Sequence, residues 1–167
     1  MSSTSYPFCI ATVVTHKAIE AMLEISGEGS YRDEHPWLVA RDVLALAQSI
    51  DLQLPILFAS QAIDQPSNFS HWSVVSKIEV VELHRGQFDS RCSFTPLQPM
   101  NPIWQSIDSV LLKASAEQME REEREGIKVY RTALDEHHIH PYAICETPAF
   151  IQEVLGVSGM EMESGED

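Results

Sequence analysis

"HWSVVSKIEVVELHRGQFDSRCSFTPL", residues 71–97, reads as two strands and a turn. In its first half Trp72, Val74, Ile78 and Val80 stand among polar neighbours, the alternation of a half-buried strand. The phase slips near Ser76 and Lys77, where a bulge with one extra residue would restore it. After the turn sequence "HRGQ", Phe88, Ser90, Cys92 and Phe94 alternate with Asp89, Arg91 and Ser93. Strands over 71–83 and 88–97 joined by so short a connection predict an antiparallel hairpin.

On the N-terminal side of this hairpin lie two more strand candidates and two helices. "FCIATVV" (8–14) is compact and β-branched, and Thr15 follows as a helix N-cap for "HKAIEAMLEIS", which Gly27 closes. "GEGSYRDEH" (27–35) reads as a loop. Pro36 then opens "PWLVARDVLALAQSI", a helix with Leu38, Val39, Val43, Leu46 and Ile50 on the helical period. "LPILFAS" (54–60) is a short apolar strand behind a proline.

On the C-terminal side, "PLQPMNP" is an extended connector, because three prolines in seven residues permit little else. "IWQSIDSVLLKA" (103–114) carries Ile103, Trp104, Ile107, Val110 and Leu111 at helical spacing. Ser115 and Gln118 have capping-box spacing and open the solvated helix "AEQMEREEREG". Its i,i+4 pairs Glu117–Arg121 and Glu120–Arg124 have the favourable orientation. "IKVYRTAL" (127–134) and "PYAICE" (141–146) read as strands, and Thr147 and Pro148 start a last helix.

Strands that cluster in hairpins instead of alternating with helices predict an α+β fold. The sheet should be mainly antiparallel, a candidate for closure into a β-barrel, with about five helices. With 167 residues and 44% hydrophobic content, the chain fits a single globular α+β domain over 1–157, with an acidic disordered tail over 158–167.

Twenty-five acidic side chains against eleven basic ones give a net charge of −14. Affinity for nucleic acid backbones and anionic membranes comes from Lys and Arg, so non-specific nucleic-acid binding and membrane attachment are excluded as partners. A basic protein partner is favoured by the same charge. Cys9, Cys92 and Cys145 are an odd number of widely spaced cysteines in apolar contexts, which reads as buried free thiols in a reducing, cytoplasmic setting. No window approaches the roughly 18 apolar residues of a membrane span.

"LPILFAS" followed by "HWSVVSKIEVVEL" resembles the middle of the PUA-like superfamily, which includes the ASCH and EVE domains. The resemblance covers roughly residues 54–95 and the early strand-helix unit, and it lies in architecture; Ser73 and Ser76 stand near where such domains carry turn glycines. It implies recognition of a nucleic-acid base, a nucleotide or another planar ligand in a cleft beside this strand. Ser60, Gln61, His71 and Trp72 are the ligand-binding positions it implies. Independently, the aromatic-histidine-aromatic run "FSHWS" (69–73) could offer a stacking platform.

"DEHHIHP" (135–141) holds three of the seven histidines. On an extended segment His138 and His140 would share a face, and with Asp135 or Glu136 could offer ligands to a divalent metal, the one cofactor the residues suggest. Absent metal, the stretch is a polar hairpin loop. No nucleophile elbow, phosphate-cradling loop or dinucleotide fingerprint occurs. Three functions follow: a PUA-like binding module for a base or other planar small molecule, with no catalytic residue assigned; an acidic interaction or inhibitor protein docking on a basic partner; and a metal-dependent hydrolase built on His138 and His140.

Overall fold

The structure is a computed structural model that describes residues 5–25, 27–61 and 68–164, with the side chains of 61 and 157–164 outside the description. The elements run β1 (Phe8–Thr15), α1 (His16–Glu24), β2 (Gly29–Asp33), α2 (Leu38–Ser49), β3 (Leu54–Gln61), β4 (Asn68–His84), β5 (Gln87–Phe94), β6 (Gln98–Pro99), α3 (Ala116–Glu125), β7 (Ala143–Glu146) and α4 (Ala149–Ser164). Seven strands form one sheet in the order β2-β5-β4-β3-β1-β7, with β6 beside β4. The class is α+β as expected. The sheet is not closed into a barrel, since β2 and β7 end it unpaired with each other, and there are four α-helices among the described residues where about five were expected.

The hairpin is as read. β4 and β5 pair antiparallel from Val75↔Phe94 to His84↔Gln87, and the register shifts between Val75 and Lys77. Exposed Ser76 and Lys77 absorb the extra residue, so that Val75 and Ile78 both enter the same core. Gly86 takes φ of +78° in the turn, a conformation that costs glycine nothing. β1 and β3 pair in parallel, from Ile10↔Ile56 to Thr15↔Gln61, an arrangement that hairpin clustering did not anticipate. The other ladders are antiparallel.

Two cores sandwich this sheet, and the period-2 alternation sorts residues between them. Ile10, Ile56, Phe58, Val75 and Phe94 face one core with Ile19 and Met22 of α1 and Ala40, Leu44 and Ala47 of α2. Cys9, Ala11, Leu57, Trp72 and Cys145 face the other, with Met100, Ile107, Val110, Leu134, Ile139 and Ile151. β3 is covered on both faces, which is why "LPILFAS" is apolar without alternation. Local signals also hold: the Ala18 amide donates to Thr15 Oγ1 at 3.1 Å, and Ser115 and Gln118 complete a capping box. In α3 the i,i+4 ion pair among the described residues is Arg121–Glu125, in place of the expected Glu117–Arg121 and Glu120–Arg124.

Three segments depart from expectation. Residues 29–33, expected in a loop, form the edge strand β2, where Gly29 is required because a Cβ there would lie 2.7 Å from Phe94 Cε1. Residues 103–114 are not one helix but two short 3-10 turns, Pro102–Trp104 and Ile107–Ser109, followed by extended chain. The Ser106 hydroxyl donates to the Asp108 carboxylate, the kind of local bond that competes with helix. Long-range partners take the rest: Leu112 N–H donates to Thr132 O (2.7 Å), Lys113 N–H to Ile144 O (3.0 Å), and Leu111 O accepts from Glu146 N–H (2.8 Å). Of the strand expected at 127–134, only the single bridge Ala133↔Leu111 forms.

Arg131 ties this irregular region together. Its guanidinium binds both Glu122 oxygens, and Nε donates to Glu146 Oε2 at 2.8 Å, which pins α3 to β7. The two carboxylates hold the guanidinium pKa up, Glu122 first and Glu146 second. Cys9, Cys92 and Cys145 are buried free thiols, as expected. Burial pushes the Cys92 thiol up to about 12, while a hydrogen bond with Cys9 and then burial raise Cys145. α4 carries its backbone to Ser164, into the stretch expected as an acidic tail; residues 165–167 lie outside the described set.

Candidate ligand-binding site

His71 and Trp72 are neighbours on one strand, so their side chains fall on opposite faces of the sheet. His71 pairs with Phe58, and Trp72 with Leu57. Trp72 is 5% exposed and sits in the second core, its ring edge-on to Phe150 at 6.3 Å between centroids. Phe69 is buried in the same cluster. The platform expected from "FSHWS" is therefore divided: its aromatics are packing residues, and His71 stands apart, with Nδ1 at 2.9 Å from Ser70 Oγ. Burial lowers the His71 pKa. Ser60 is half-buried on β3 opposite Asn68, and Gln61 pairs with Thr15, its side chain outside the described residues.

His138 and His140 are not on an extended segment either. Residues 136–139 form a turn, in which the Asp135 N–H donates to His138 Nδ1 at 3.0 Å and Asp135 Oδ1 accepts from the His137 N–H at 2.8 Å. Asp135 thus organises its own loop, as Asx residues do. Among the described residues no three His, Cys, Asp or Glu side chains come close enough to hold a metal ion. His140 instead joins a different group.

That group lies between the edge strand β2 and the start of the β7 segment. Val13, Tyr31, Asp33, His35, His140 and Pro141 line a cleft of about 170 Å³. Alternation on β2 puts Tyr31 and Asp33 on one side while Arg32, on the other, pairs with Asp89. Asp33 is held from two directions: Trp37 Nε1 donates to Oδ2 at 2.7 Å, and His35 Nδ1 lies 2.8 Å from Oδ1. Its side chain is 11% exposed, against 53% for His35. Trp37, fully buried, packs on Tyr142 at 4.7 Å and Tyr31 at 6.2 Å. Ser90 Oγ fastens the loop, donating to His35 O at 2.6 Å and accepting from Trp37 N–H at 3.1 Å.

Chemically this is a carboxylate acceptor whose Oδ2 takes only the Trp37 bond among the described residues, flanked by two imidazoles and a phenol. Burial, and then the Asp33 charge, raises the Tyr31 pKa, so the phenol stays a neutral donor. The His35 Nδ1 that faces the carboxylate is the ring nitrogen that donates to it. His35 also lines a wider cleft of about 720 Å³ with Glu34, Pro36, Leu83, Gln87 and Phe88. The smaller cleft is below the roughly 300–1,000 Å³ of ordinary ligand sites and the larger within it. Sequence reasoning passed over these residues inside "GEGSYRDEH". The readable signal was the spacing Tyr31, Asp33, His35, Trp37, every second residue.

Comparison of the chain with protein-family models, with curated proteins and with solved structures gives no match, so the chemistry of this cleft is what a functional reading has to rest on.

Proposed function

We propose that the protein is a binding module for a planar, hydrogen-bonding ligand of the nucleobase or nucleoside class, with the polar edge of its base held at the Asp33–His35 cleft and the rest in the wider cleft that His35 also lines. This keeps the ligand class that the PUA-like resemblance implies and moves the site from His71 and Trp72 to Tyr31, Asp33, His35 and His140. The observation that carries it is the Asp33 carboxylate, nearly buried and fixed by Trp37 and His35 at the wall of a cleft with aromatic sides. Carboxylates accept hydrogen bonds from base amino and imino groups, and aromatic rings stack on base faces. A net charge of −14 disfavours phosphate groups, so nucleosides should bind better than nucleotides.

The test is calorimetric titration with the four common nucleosides. One should bind saturably, Asp33→Asn should weaken it at least tenfold, and His71→Ala should leave it unchanged. No binding by any of the four, or a loss that follows His71→Ala and not Asp33→Asn, would overturn the reading. A second reading, docking on a basic protein, draws on the same charge and on the exposed Glu117, Glu120, Glu123 and Glu125 of α3. Salt-sensitive capture of a basic partner, lost when these four become Gln, would favour it.

A further inference from the structure

A second cleft, apart from the Asp33 site, lies where α2 crosses the start of β1 and β7. It encloses about 470 Å³, within the range of small-molecule sites. Its walls are mostly apolar, with Tyr6 and Phe8 around the start of β1, Val43 and Leu46 of α2, and Ile144 of β7 among them. Leu46 is 58% exposed and Val39, on the same rim, 59%, so α2 leaves apolar surface uncovered here. Scattered exposed leucines need no explanation, but a concave group of them does.

The one charged side chain among the described residues lining this cleft is Lys113. Its Nζ sits 5.0 Å from the centre of the Phe8 ring, with only weak polar company: Ala114 O at 3.4 Å and Met119 Sδ at 4.0 Å. No carboxylate among the described residues comes within ion-pairing distance of it, in a chain with 25 acidic and 11 basic residues. A lysine with no carboxylate partner among the described residues despite such a surplus, placed over an apolar cleft, is complementary to an anion with an apolar body.

We infer that this cleft binds a small amphipathic carboxylate, an alkyl or arylalkyl acid, with its chain against Phe8, Val43, Leu46 and Ile144 and its carboxylate on Lys113. The aliphatic stem of Lys113 contributes to the wall while its ammonium takes the charge. The cation already rests over an aromatic face, so ligand binding adds an anion to a cation that is partly desolvated. Net protein charge opposes any anion at long range, but beyond roughly 8–10 Å salt screens that repulsion.

The experiment titrates the full chain with hexanoate, octanoate and 1-octanol, read by amide shifts of residues 39–46 and 112–114. Octanoate should bind saturably and about fifteenfold more tightly than hexanoate, the fold-change expected for two more buried methylenes. Lys113→Met should weaken octanoate about tenfold and leave 1-octanol within about twofold. Leu46→Asn, a change at an exposed position, should weaken both and so serves even if the lysine variant folds poorly. Non-saturable shifts, octanoate binding unaffected by either variant, or a cleft covered by a second copy whose dimer Leu46→Asn dissolves would each overturn the proposal. These outcomes are independent of nucleoside binding at Asp33.

Discussion

On one face of the sheet, Ile10, Ile56 and Phe58 lie under the regular helices α1 and α2. On the other, Leu57, Trp72 and Cys145 lie under α4 and under chain whose buried residues Met100, Val110 and Leu134 belong to no helix. Both faces hold fully buried side chains, so burial does not separate them. What separates them is how the covering backbone satisfies its hydrogen bonds: within each helix on the first face, and with distant partners such as Thr132 and Ile144 on the second. A core can be as dry under irregular chain as under helices, provided that each amide finds a partner elsewhere.

The sharpest way to break this equivalence is to truncate one large residue on each face. Phe58→Ala and Trp72→Ala should each cost about 3–5 kcal/mol, read from urea unfolding midpoints. A cost under about 1 kcal/mol for Trp72 alone would mean that its ring is not core, and would return it to the list of ligand-stacking candidates.

Next in size is Ile139→Ala, which removes a fully buried side chain from the turn beneath the second core. We expect a loss of about 2–4 kcal/mol. Native-state hydrogen exchange should show the amides of Leu112 and Leu134 opening at lower free energy than those of β3, because irregular chain opens in smaller units than a central ladder. Equal opening energies would show that the two coverings are one cooperative unit.

The smallest effect belongs to His71, on the helix-covered face. Its folded pKa lies below the ordinary 6.5 because burial disfavours the charged ring. As pH falls through 6.5 the unfolded chain takes up the proton first, so stability is intact above 6.5 and declines from there down to the folded value. Urea midpoints at pH 8, 7, 6 and 5 should show a decline that His71→Gln flattens; an unchanged slope would place the titration elsewhere.

The same contrast explains how much of the molecule was legible in its sequence. "LPILFAS", the Val75–Ile78 phase slip, Thr15 and the Ser115–Gln118 box are local patterns, and each is found where it was read. The 103–114 segment has apolar residues at helical spacing, yet Ile103 is 78% exposed while Ile107 and Val110 are buried. Its conformation is set by amides bonded to residues about 20 and 30 positions away, which no local pattern encodes. The candidate site was hidden for a related reason. "GSYRD" has one large apolar residue, and only pairing of Tyr31 with Cys92 on β5 makes it a strand. His140 joins it across more than a hundred positions, and histidine spacing within "DEHHIHP" carried no trace of that.

Pairing of β1 with β7 has a consequence for the order of assembly. The hydroxyl of Thr147 donates to Tyr6 O across 141 positions, whereas the β4–β5 hairpin closes over a two-residue turn. The entropic cost of closing a loop grows with the logarithm of its length, about 0.6 kcal/mol per doubling. From about four residues to 141 is about five doublings, so β1–β7 closure begins roughly 3 kcal/mol behind the hairpin. On loop entropy alone the hairpin is expected to form before the β1–β7 ladder, and until β7 docks Cys9 and Ala11 face an open strand edge.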